Sequence, residues 1–279
     1  MPAQTRAKKN QDKGTAQKRG KEDQGKGAQQ AVYVYGILPG DIELEDGTTG
    51  VGDPPAEVRV VRSGDLAALV SDVDLDKPLG RPEDLYAHEE LLDATAAGVP
   101  VLPLRFGAVV ASDEAVAEEL LGAHSDEFAA ALEQLEGHAE YVVKGRYVED
   151  TVLREVLDEN PEAGELRDQL KDADEDATRE LRMQLGEIVS NSIDAKREQD
   201  LQALDDAVSD HVEASVVRSP TDDMEAVHVA FLVDLDSADA LEQAVDELAR
   251  DWGDRIEVRL MGPMAAYDFV GTTTPAQDI

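Results

Sequence analysis

The spacing of apolar and polar residues predicts a chain that opens with β-strands. An apolar and aromatic run at residues 32–37 is typical of a buried strand. Two further β-branched runs, at 58–62 and 66–73, flank Ser63 and Gly64, a turn-forming pair. We therefore expect a first strand followed by a β-hairpin.

A helix is predicted after the hairpin. Pro82, with two acidic residues directly behind it, is typical of a first helical position, and Gly98 is expected to end the helix. Helical spacing places Leu85, His88 and Leu92 on the inner face.

The run at residues 100–107, which reads Pro-Val-Leu-Pro-Leu-Arg-Phe-Gly, is unusual for a strand. Pro103 lacks the N–H that a strand donates to its neighbour, so we expect a sheet edge or an irregular strand here. Arg105 has two interpretations: it binds an anionic ligand bidentately, or it pairs with carbonyls and a carboxylate inside the fold. Internal pairing is the favoured one, because arginines at sheet edges commonly pair within the protein.

A second helical region follows, and Ser112 is expected to cap it. The apolar stripe then extends through two helical segments to Gly137. Residues 139–147 predict another strand, and residues 148–212 predict a long helical arm in which Pro161 forces a break.

The rest of the chain predicts strands at 214–218, 226–233 and 256–260, with a helix capped by Ser237 before the last strand. The order from residue 139 is therefore β-α-β-β-α-β, which is the ferredoxin-like order. The fold class expected is α+β with two α/β domains, the C-terminal one ferredoxin-like with a long helical insert.

The helical arm carries apolar residues at a 4-3 spacing that begins with Leu181, Leu185 and Ile188, but the later positions are polar. This pattern fits either a coiled-coil contact, and hence self-association, or an amphipathic helix against the domain. An unbroken helix over 163–212 would be roughly 75 Å long, so we expect a bend or hairpin in the stretch 172–176 or near Gly186.

Charge adds a second constraint. The chain has 26 Lys and Arg residues against 62 Asp and Glu residues, a net charge of −36. Outside the first 27 residues only four lysines occur. Such a surface repels itself in dilute buffer and is screened in concentrated salt, so we expect a salt-loving host.

Residues 1–30 contrast with the acidic remainder. Residues 1–27 hold eight basic and three acidic residues, a net of +5, and almost no large apolar side chain. We expect a disordered, solvated tail. A nucleic-acid arm is the alternative, but no aromatic residue is available to stack on bases.

These patterns give the expected domains. They are a basic tail at 1–30, an N-terminal mixed α/β domain at 31–137, a C-terminal ferredoxin-like domain at 138–271 with its helical arm at 148–212, and a short tail at 272–279. No apolar run is long enough to span a membrane, so a soluble cytoplasmic protein is expected.

Catalytic and cofactor signatures are nearly absent. The chain has no cysteine, and its five histidines lack metal-ligand spacing. His88-Glu89 begins like a zincin helix but has no second histidine four residues on, so His88 and His228 are expected to be hydrogen-bonded core histidines. The glycine-rich stretch 47–52 lacks the P-loop lysine and the dinucleotide spacing, and we expect a flexible loop. No catalytic residue, cofactor or metal is predicted.

Six separated segments together resemble the gas vesicle protein F/L family, over about residues 31–271. They are Tyr33-Val34-Tyr35-Gly36, Leu66-Ala67-Ala68-Leu69-Val70-Ser71, His88-Glu89, the run 101–107, Leu135-Glu136-Gly137 with Glu140, Val143 and Lys144, and the closing run 261–269 that contains Gly262-Pro263 and Tyr267. Met264-Ala265 departs from the bulkier, proline-rich residues expected after Gly262-Pro263.

The resemblance implies an accessory protein of gas vesicle formation, without enzyme activity. It would bind the small hydrophobic shell protein and other accessory proteins in the cytoplasm and remain as a minor vesicle component; nucleic acid and membrane are not expected partners. The long acidic insert suits an L-type member from a salt-loving archaeon. The residues expected to border the partner surface are Leu102, Leu104, Arg105, Phe106, Gly262, Pro263, Tyr267 and Phe269. The alternative is a ligand-binding or enzymatic protein on a ferredoxin-like scaffold.

Overall fold

The computed structural model describes residues 30–172 and 178–270, with the side chain of Asp172 excepted. The predictions for the basic N-terminal tail, the C-terminal tail and the turn at 172–176 lie outside the described residues, apart from Gln30 and Asp172. The mixed α/β architecture with two sheets is confirmed.

The first sheet is antiparallel and follows the predicted strand and hairpin. Its strands are β1 (Gln30–Pro39), β2 (Val58–Ser63), β3 (Leu66–Asp74), β4 (Leu102–Pro103) and β5 (Val109–Val110). The order is β2-β3-β1-β4, and β5 also pairs with β1. The proline-containing strand β4 is two residues long and lies at the end of this order, so the predicted irregular edge strand is confirmed.

Three helical segments cover the two faces of this sheet. They are α1 (Pro82–Ala96), α2 (Asp113–Ala115), which continues as a π-helical turn (Val116–Gly122), and α3 (Ser125–Leu135). The predicted cap at Ser112 is confirmed, since its Oγ accepts a hydrogen bond from the Ala115 N–H at 3.2 Å. The position of Leu85 was predicted wrongly: Leu85 is 42% exposed, because it lies near the N-terminal end of α1, whereas His88 and Leu92 are buried.

Alternation along β1 builds two cores in the first half. Val32, Val34 and Ile37 contact the π-helical turn and α3 on one face. Tyr33 and Tyr35 contact α1 on the other face. Because successive side chains of a strand point to opposite faces, β1 is buried on both.

The second sheet contains β6 (His138–Tyr147), β7 (Ala214–Val217), β8 (Glu225–Asp234) and β9 (Ile256–Met264). All neighbours are antiparallel, and the order is β7-β8-β6-β9. Helix α7 (Ala238–Trp252) connects β8 to β9. Its predicted cap was wrong: Ser237 makes no capping hydrogen bond, because a 3₁₀ turn (Leu235–Ser237) precedes α7 and is capped instead by the Asp234 carboxylate.

The helical arm consists of α4 (Glu149–Glu159), α5 (Pro161–Asp172) and α6 (Thr178–Val208). Pro161 begins α5, so the predicted break is confirmed. Within the described chain, α6 contacts α4, α5, α7 and β8, and Leu204 and Val208 near its C-terminal end are buried against the second sheet. These contacts fit an amphipathic helix packed against the domain.

An ion network fixes the arm to the second sheet. Asp200 of α6 accepts two hydrogen bonds from Arg255, at 2.7 and 2.8 Å, and one from the Tyr147 hydroxyl at 2.6 Å. Lys196 donates to Glu155 at 2.8 Å, and Glu155 also accepts from Arg255. Each of these ions has an oppositely charged partner, which buried charges require.

Among the described residues, no helix has both the length and the apolar character needed to cross a membrane.

Candidate functional site

The segment at residues 104–107, here called the arginine loop, interrupts the pairing of the chain with β1. The Leu104 N–H donates to the Tyr35 carbonyl at 2.9 Å, and pairing resumes where the Val34 N–H donates to the Ala108 carbonyl at 2.9 Å. Between them the chain turns at Gly107, whose φ of +93° favours glycine. The loop is therefore anchored to the sheet on both sides.

A ring of hydrogen bonds through the core holds the same loop. The Gly107 N–H donates to the Tyr33 hydroxyl oxygen at 3.1 Å, and this oxygen lies 3.0 Å from His88 Nδ1. His88 Nε2 lies 3.1 Å from the Leu104 carbonyl oxygen. With a neutral imidazole, one proton arrangement satisfies all three bonds: the Tyr33 O–H donates to Nδ1, and Nε2–H donates to the Leu104 carbonyl.

Burial keeps this histidine neutral. Burial lowers the pKa of His88, and its hydrogen bond to the Leu104 carbonyl opposes that effect only in part. The expectation of a hydrogen-bonded core histidine is confirmed for His88, which is 1% exposed. Phe106 packs edge-on against Tyr33 and His88, with ring centroids 5.9 and 5.6 Å apart, so its side chain points into the core.

Arg105 points the other way. Its side chain is exposed, and within residues 30–172 and 178–270 its guanidinium makes no hydrogen bond or ion pair. The favoured prediction of internal pairing is therefore wrong. The reason is local: with both neighbours facing the protein interior, the residue between them faces solvent, and no carboxylate of the described residues lies within ion-pair distance. The loop presents an uncompensated cation on a rigid support.

The other predicted partner-surface residues are mostly part of the interior. Leu102 is buried, and Leu104 and Phe269 are half-buried against the core on the α3 side of the first sheet. Phe106 and Tyr267 are half-buried against the core on the α1 side. The structure thus brings the two predicted segments to the same pair of cores, but it leaves few of their side chains accessible.

Gly262 and Pro263 have structural roles. Gly262 is exposed and has a φ of +143°, and a Cβ atom there would lie 2.5 Å from Tyr141. Pro263 is half-buried, and its peptide bond with Gly262 is cis. Both residues shape the chain as it leaves β9.

Residues 262–270, here called the closing segment, cross from the second sheet to the first. Ala265 is buried in the core on the α1 side, and Ala266 in the core on the α3 side. The Ala265 N–H donates to the Asp93 carboxylate of α1 at 3.0 Å. The small Ala265, where the resemblance predicts a bulkier residue, is consistent with this tight insertion.

A charged cluster, missed by the sequence analysis, lies where the closing segment leaves the second sheet. Glu140 of β6 is fully buried and accepts hydrogen bonds from the Asp268 N–H at 3.0 Å and from Arg218 at 2.9 Å. Arg218 also donates to the Asp268 carboxylate at 2.7 Å. A glutamate between apolar neighbours in a strand was the available signal, but its partners lie 78 and 128 residues away.

The electrostatics of this cluster are unbalanced, because two carboxylates share one guanidinium. Burial raises the pKa of Glu140 to about 7, and the Asp268 and Asp93 carboxylates act in the same direction. The hydrogen bond from the Asp268 N–H and the charge of Arg218 lower the pKa but do not compensate. Glu140 therefore titrates near neutral pH.

The described residues contain two concave sites of note. A cavity of about 180 Å³ is lined in part by Arg218, Ser219 and His228. His228 Nε2 lies 3.2 Å from Arg218 Nη1, from which it accepts a hydrogen bond, so this nitrogen is not free to act as a base toward Ser219. A wider groove of about 410 Å³ over β2 is lined mainly by charged side chains. No group of three His, Asp or Glu side chains in the described ranges is arranged to hold a metal ion.

The glycine-rich stretch 47–52 is anchored rather than flexible, which corrects the prediction. The Val51 N–H donates to the Tyr35 hydroxyl at 2.8 Å, and the Gly52 N–H donates to the Asp84 carboxylate at 3.0 Å. Gly50 packs so closely on Tyr35 that a Cβ atom would lie 1.9 Å from the hydroxyl oxygen.

Comparisons with known proteins agree with this architecture. The family model described as "Gas vesicle synthesis protein GvpL/GvpF" matches residues 31–271. The chain is 35% identical to gas vesicle protein F of Streptomyces sp. (strain CB03234) over 243 residues, 86% of this chain and 99% of the relative. It is 33% identical to gas vesicle protein L of the same organism over 260 residues, 86% of this chain and 92% of the relative.

The fold also matches a solved structure. The crystal structure of the gas vesicle protein GvpF from Anabaena sp. PCC7120 gives a TM-score of 0.73 at 23% identity, with 88% of this chain and 100% of that chain covered. The molecule is thus an accessory protein of gas vesicle formation with two antiparallel sheets. It belongs to the GvpL/GvpF family. Since both F and L relatives match, the L-type assignment and the salt-loving host stay predictions.

Proposed function

We propose that this chain works without catalysis, by binding other polypeptides while the gas vesicle is assembled. The observation that carries the proposal is the family match over residues 31–271, together with an exposed, unpaired Arg105 on a loop held by a buried hydrogen-bond ring. A side chain presented by a rigid support loses less conformational freedom on binding than one on a mobile loop.

The partners proposed are the small hydrophobic shell protein and other accessory proteins. A shell subunit exposes apolar surface before assembly, and such surface aggregates unless it is covered. Leu104 and Phe106 pack into the cores, so only the exposed part of each half-buried side chain adds apolar surface beside the guanidinium. A guanidinium binds carboxylates and carbonyl oxygens. Because β4 has only two paired residues, side-chain contacts support the proposal better than addition of a partner strand does.

The same proposal places the protein in the cytoplasm, associated with the vesicle and retained there as a minor component. Its net charge of −36 supports solubility of a complex with a hydrophobic partner. We also propose a domain boundary near residue 137, with the closing segment packed into the first domain. Self-association through the helical arm stays a prediction, which sedimentation would test.

Deletion of the gene in a vesicle-forming host, followed by electron microscopy and complementation, tests this function. We expect no vesicles without the chain, and recovery with the wild type. Recovery should be poor with Arg105→Glu and full with Arg154→Glu, since Arg154 of α4 is also exposed and has no ion pair with any described residue. Normal vesicles in the deletion strain would contradict the proposal.

A further inference from the structure

The closing segment links the last residues of β9 to the first sheet, and its side chains pack into the two cores of that sheet. Two of its N–H groups are held by carboxylates from opposite sides of the junction. The Ala265 N–H donates to Asp93 of α1, and the Asp268 N–H donates to Glu140 of β6, each at 3.0 Å. Breaking both hydrogen bonds would remove the two polar contacts that hold the segment to α1 and β6.

Glu140 lies in a cluster of further charged groups. Its other carboxylate oxygen accepts from Arg218 at 2.9 Å, and Arg218 also contacts Asp268 and His228. The charged and titratable groups facing this site are therefore Arg218 from the end of β7, Asp268 and Tyr267 from the closing segment, Asp93 from α1 and, through Arg218, His228 from β8.

We propose that the closing segment is a pH-sensitive latch between the two sheets, closed most firmly when Glu140 carries a proton and loosened when Glu140 ionises. The geometry supports this directly: one cation serves two carboxylates in a site from which Glu140 has no access to water. An ionised Glu140 adds a buried negative charge beside Asp268 and Asp93, whereas in an open latch water would solvate it.

The direction of the pH effect follows from the pKa of Glu140 in the open and the closed latch. The ordinary pKa of a glutamate applies to the open latch, and the value of about 7 applies to the closed one. The closed latch therefore binds a proton more tightly, so raising the pH from about 4.5 to 7 progressively favours opening. Above pH 7 both states are ionised and the equilibrium levels off. Burial also raises the pKa of Asp93, which acts in the same direction.

Hydrogen–deuterium exchange of the full chain between pH 5 and 8 tests the latch. The peptide covering residues 262–270 is followed after correction for the intrinsic pH dependence of amide exchange, with strand β3 as an internal reference. We expect opening of the closing segment to rise by at least tenfold between pH 5 and 7, with an upper limit of roughly a hundredfold, and then to level off. Strand β3 should show no such rise.

Two variants test whether ionisation of Glu140 causes the rise in exchange. Glu140→Gln keeps the shape and an acceptor oxygen but cannot ionise, so most of the rise should be lost and only the contribution of Asp93 should remain. Glu257→Gln, at an exposed position of β9, should keep the wild-type rise. If Glu140→Gln does not fold, Arg218→Gln serves instead: loss of the cation should move the end of the rise to higher pH. A flat wild-type profile, an equal rise in Glu140→Gln, or an unmoved profile in Arg218→Gln would overturn the latch.

Discussion

The hydroxyl oxygen of Tyr33 lies 3.0 Å from Nδ1 of His88, although the two residues are 55 positions apart. This contact joins the first strand to α1 and closes the hydrogen-bond ring that holds Leu104 and Gly107. The exposed position of Arg105 depends on that ring, because the ring fixes the backbone on both sides of it. The buried Tyr33–His88 pair therefore supports both the packing of the first sheet and the loop that carries Arg105.

Removal of the Tyr33 hydroxyl tests the ring. Tyr33→Phe leaves the Gly107 N–H without its acceptor and the buried His88 Nδ1 without its donor. We expect a loss of about 1–3 kcal/mol in the free energy of unfolding, because an unsatisfied buried polar group retains its desolvation cost. Urea denaturation measures it. The matched control is Tyr86→Phe on α1, where the side chain is 67% exposed and no change is expected.

Acidification should weaken the same ring. The pKa of His88 is lowered by burial, so the unfolded chain takes up a proton at a higher pH than the folded chain does. The stability that His88 contributes is therefore present above its ordinary pKa of about 6.5 and is lost as the pH falls below it.

The difference between wild type and His88→Gln isolates this effect from Glu140, whose contribution has the opposite sign. We expect the stability gap between the two proteins, measured by urea denaturation, to narrow as the pH falls from 7.5 to 5. A His88 gap that stays constant or widens would argue against a neutral, hydrogen-bonded imidazole.

Two glycines should respond to alanine in opposite directions. A Cβ atom on Gly50 would lie 1.9 Å from the Tyr35 hydroxyl oxygen, so Gly50→Ala must displace a buried tyrosine, and we expect a loss of about 1–3 kcal/mol. Gly186 lies within α6 with open space around it, so Gly186→Ala should add about 0.5–1 kcal/mol by favouring the helix. Thermal and urea unfolding measure both. Equal effects would mean that the glycine-rich loop is not packed on Tyr35.

The helical arm should loosen when its anchor is removed. Asp200→Ala removes the acceptor that Arg255 and the Tyr147 hydroxyl share, while Arg255 keeps its contact with Glu155. We expect a loss of about 1–3 kcal/mol, because the buried Tyr147 hydroxyl is left without a partner. Exchange of α6 amides should rise with it. Asp205→Ala, at an exposed position of the same helix, provides the control, and an equal loss there would show that removal of any carboxylate from α6, rather than the ion network, is responsible.

The sequence was sufficient for the elements whose determinants are local. Pro82, Ser112 and Pro161 mark helix starts that the structure confirms, and Pro103 correctly predicts an edge strand. Leu85 has the right spacing for the inner face, but spacing does not reveal that the core ends before the first turn of α1. The spacing of apolar residues would be the same whether Leu85 were buried or exposed.

The site depends on contacts that no local pattern specifies. Arg105 was expected to pair inside, and only the three-dimensional path of the loop shows that none of the described carboxylates lies within ion-pair distance of it. The partners of Glu140 come from β7 and the closing segment, far away in the chain. In so acidic a sequence, the proximity of carboxylates cannot be inferred from composition.

Direct binding of the shell protein is the most direct test of the account. Tagged wild-type chain, Arg105→Glu and Arg154→Glu would each be co-expressed with the shell protein and purified in molar salt, where nonspecific charge contacts are screened, and the retained shell protein would be quantified. We predict retention by the wild type and by Arg154→Glu, and a loss of at least tenfold for Arg105→Glu with an unchanged circular-dichroism spectrum. Equal retention by all three proteins, or none by the wild type, would contradict the account.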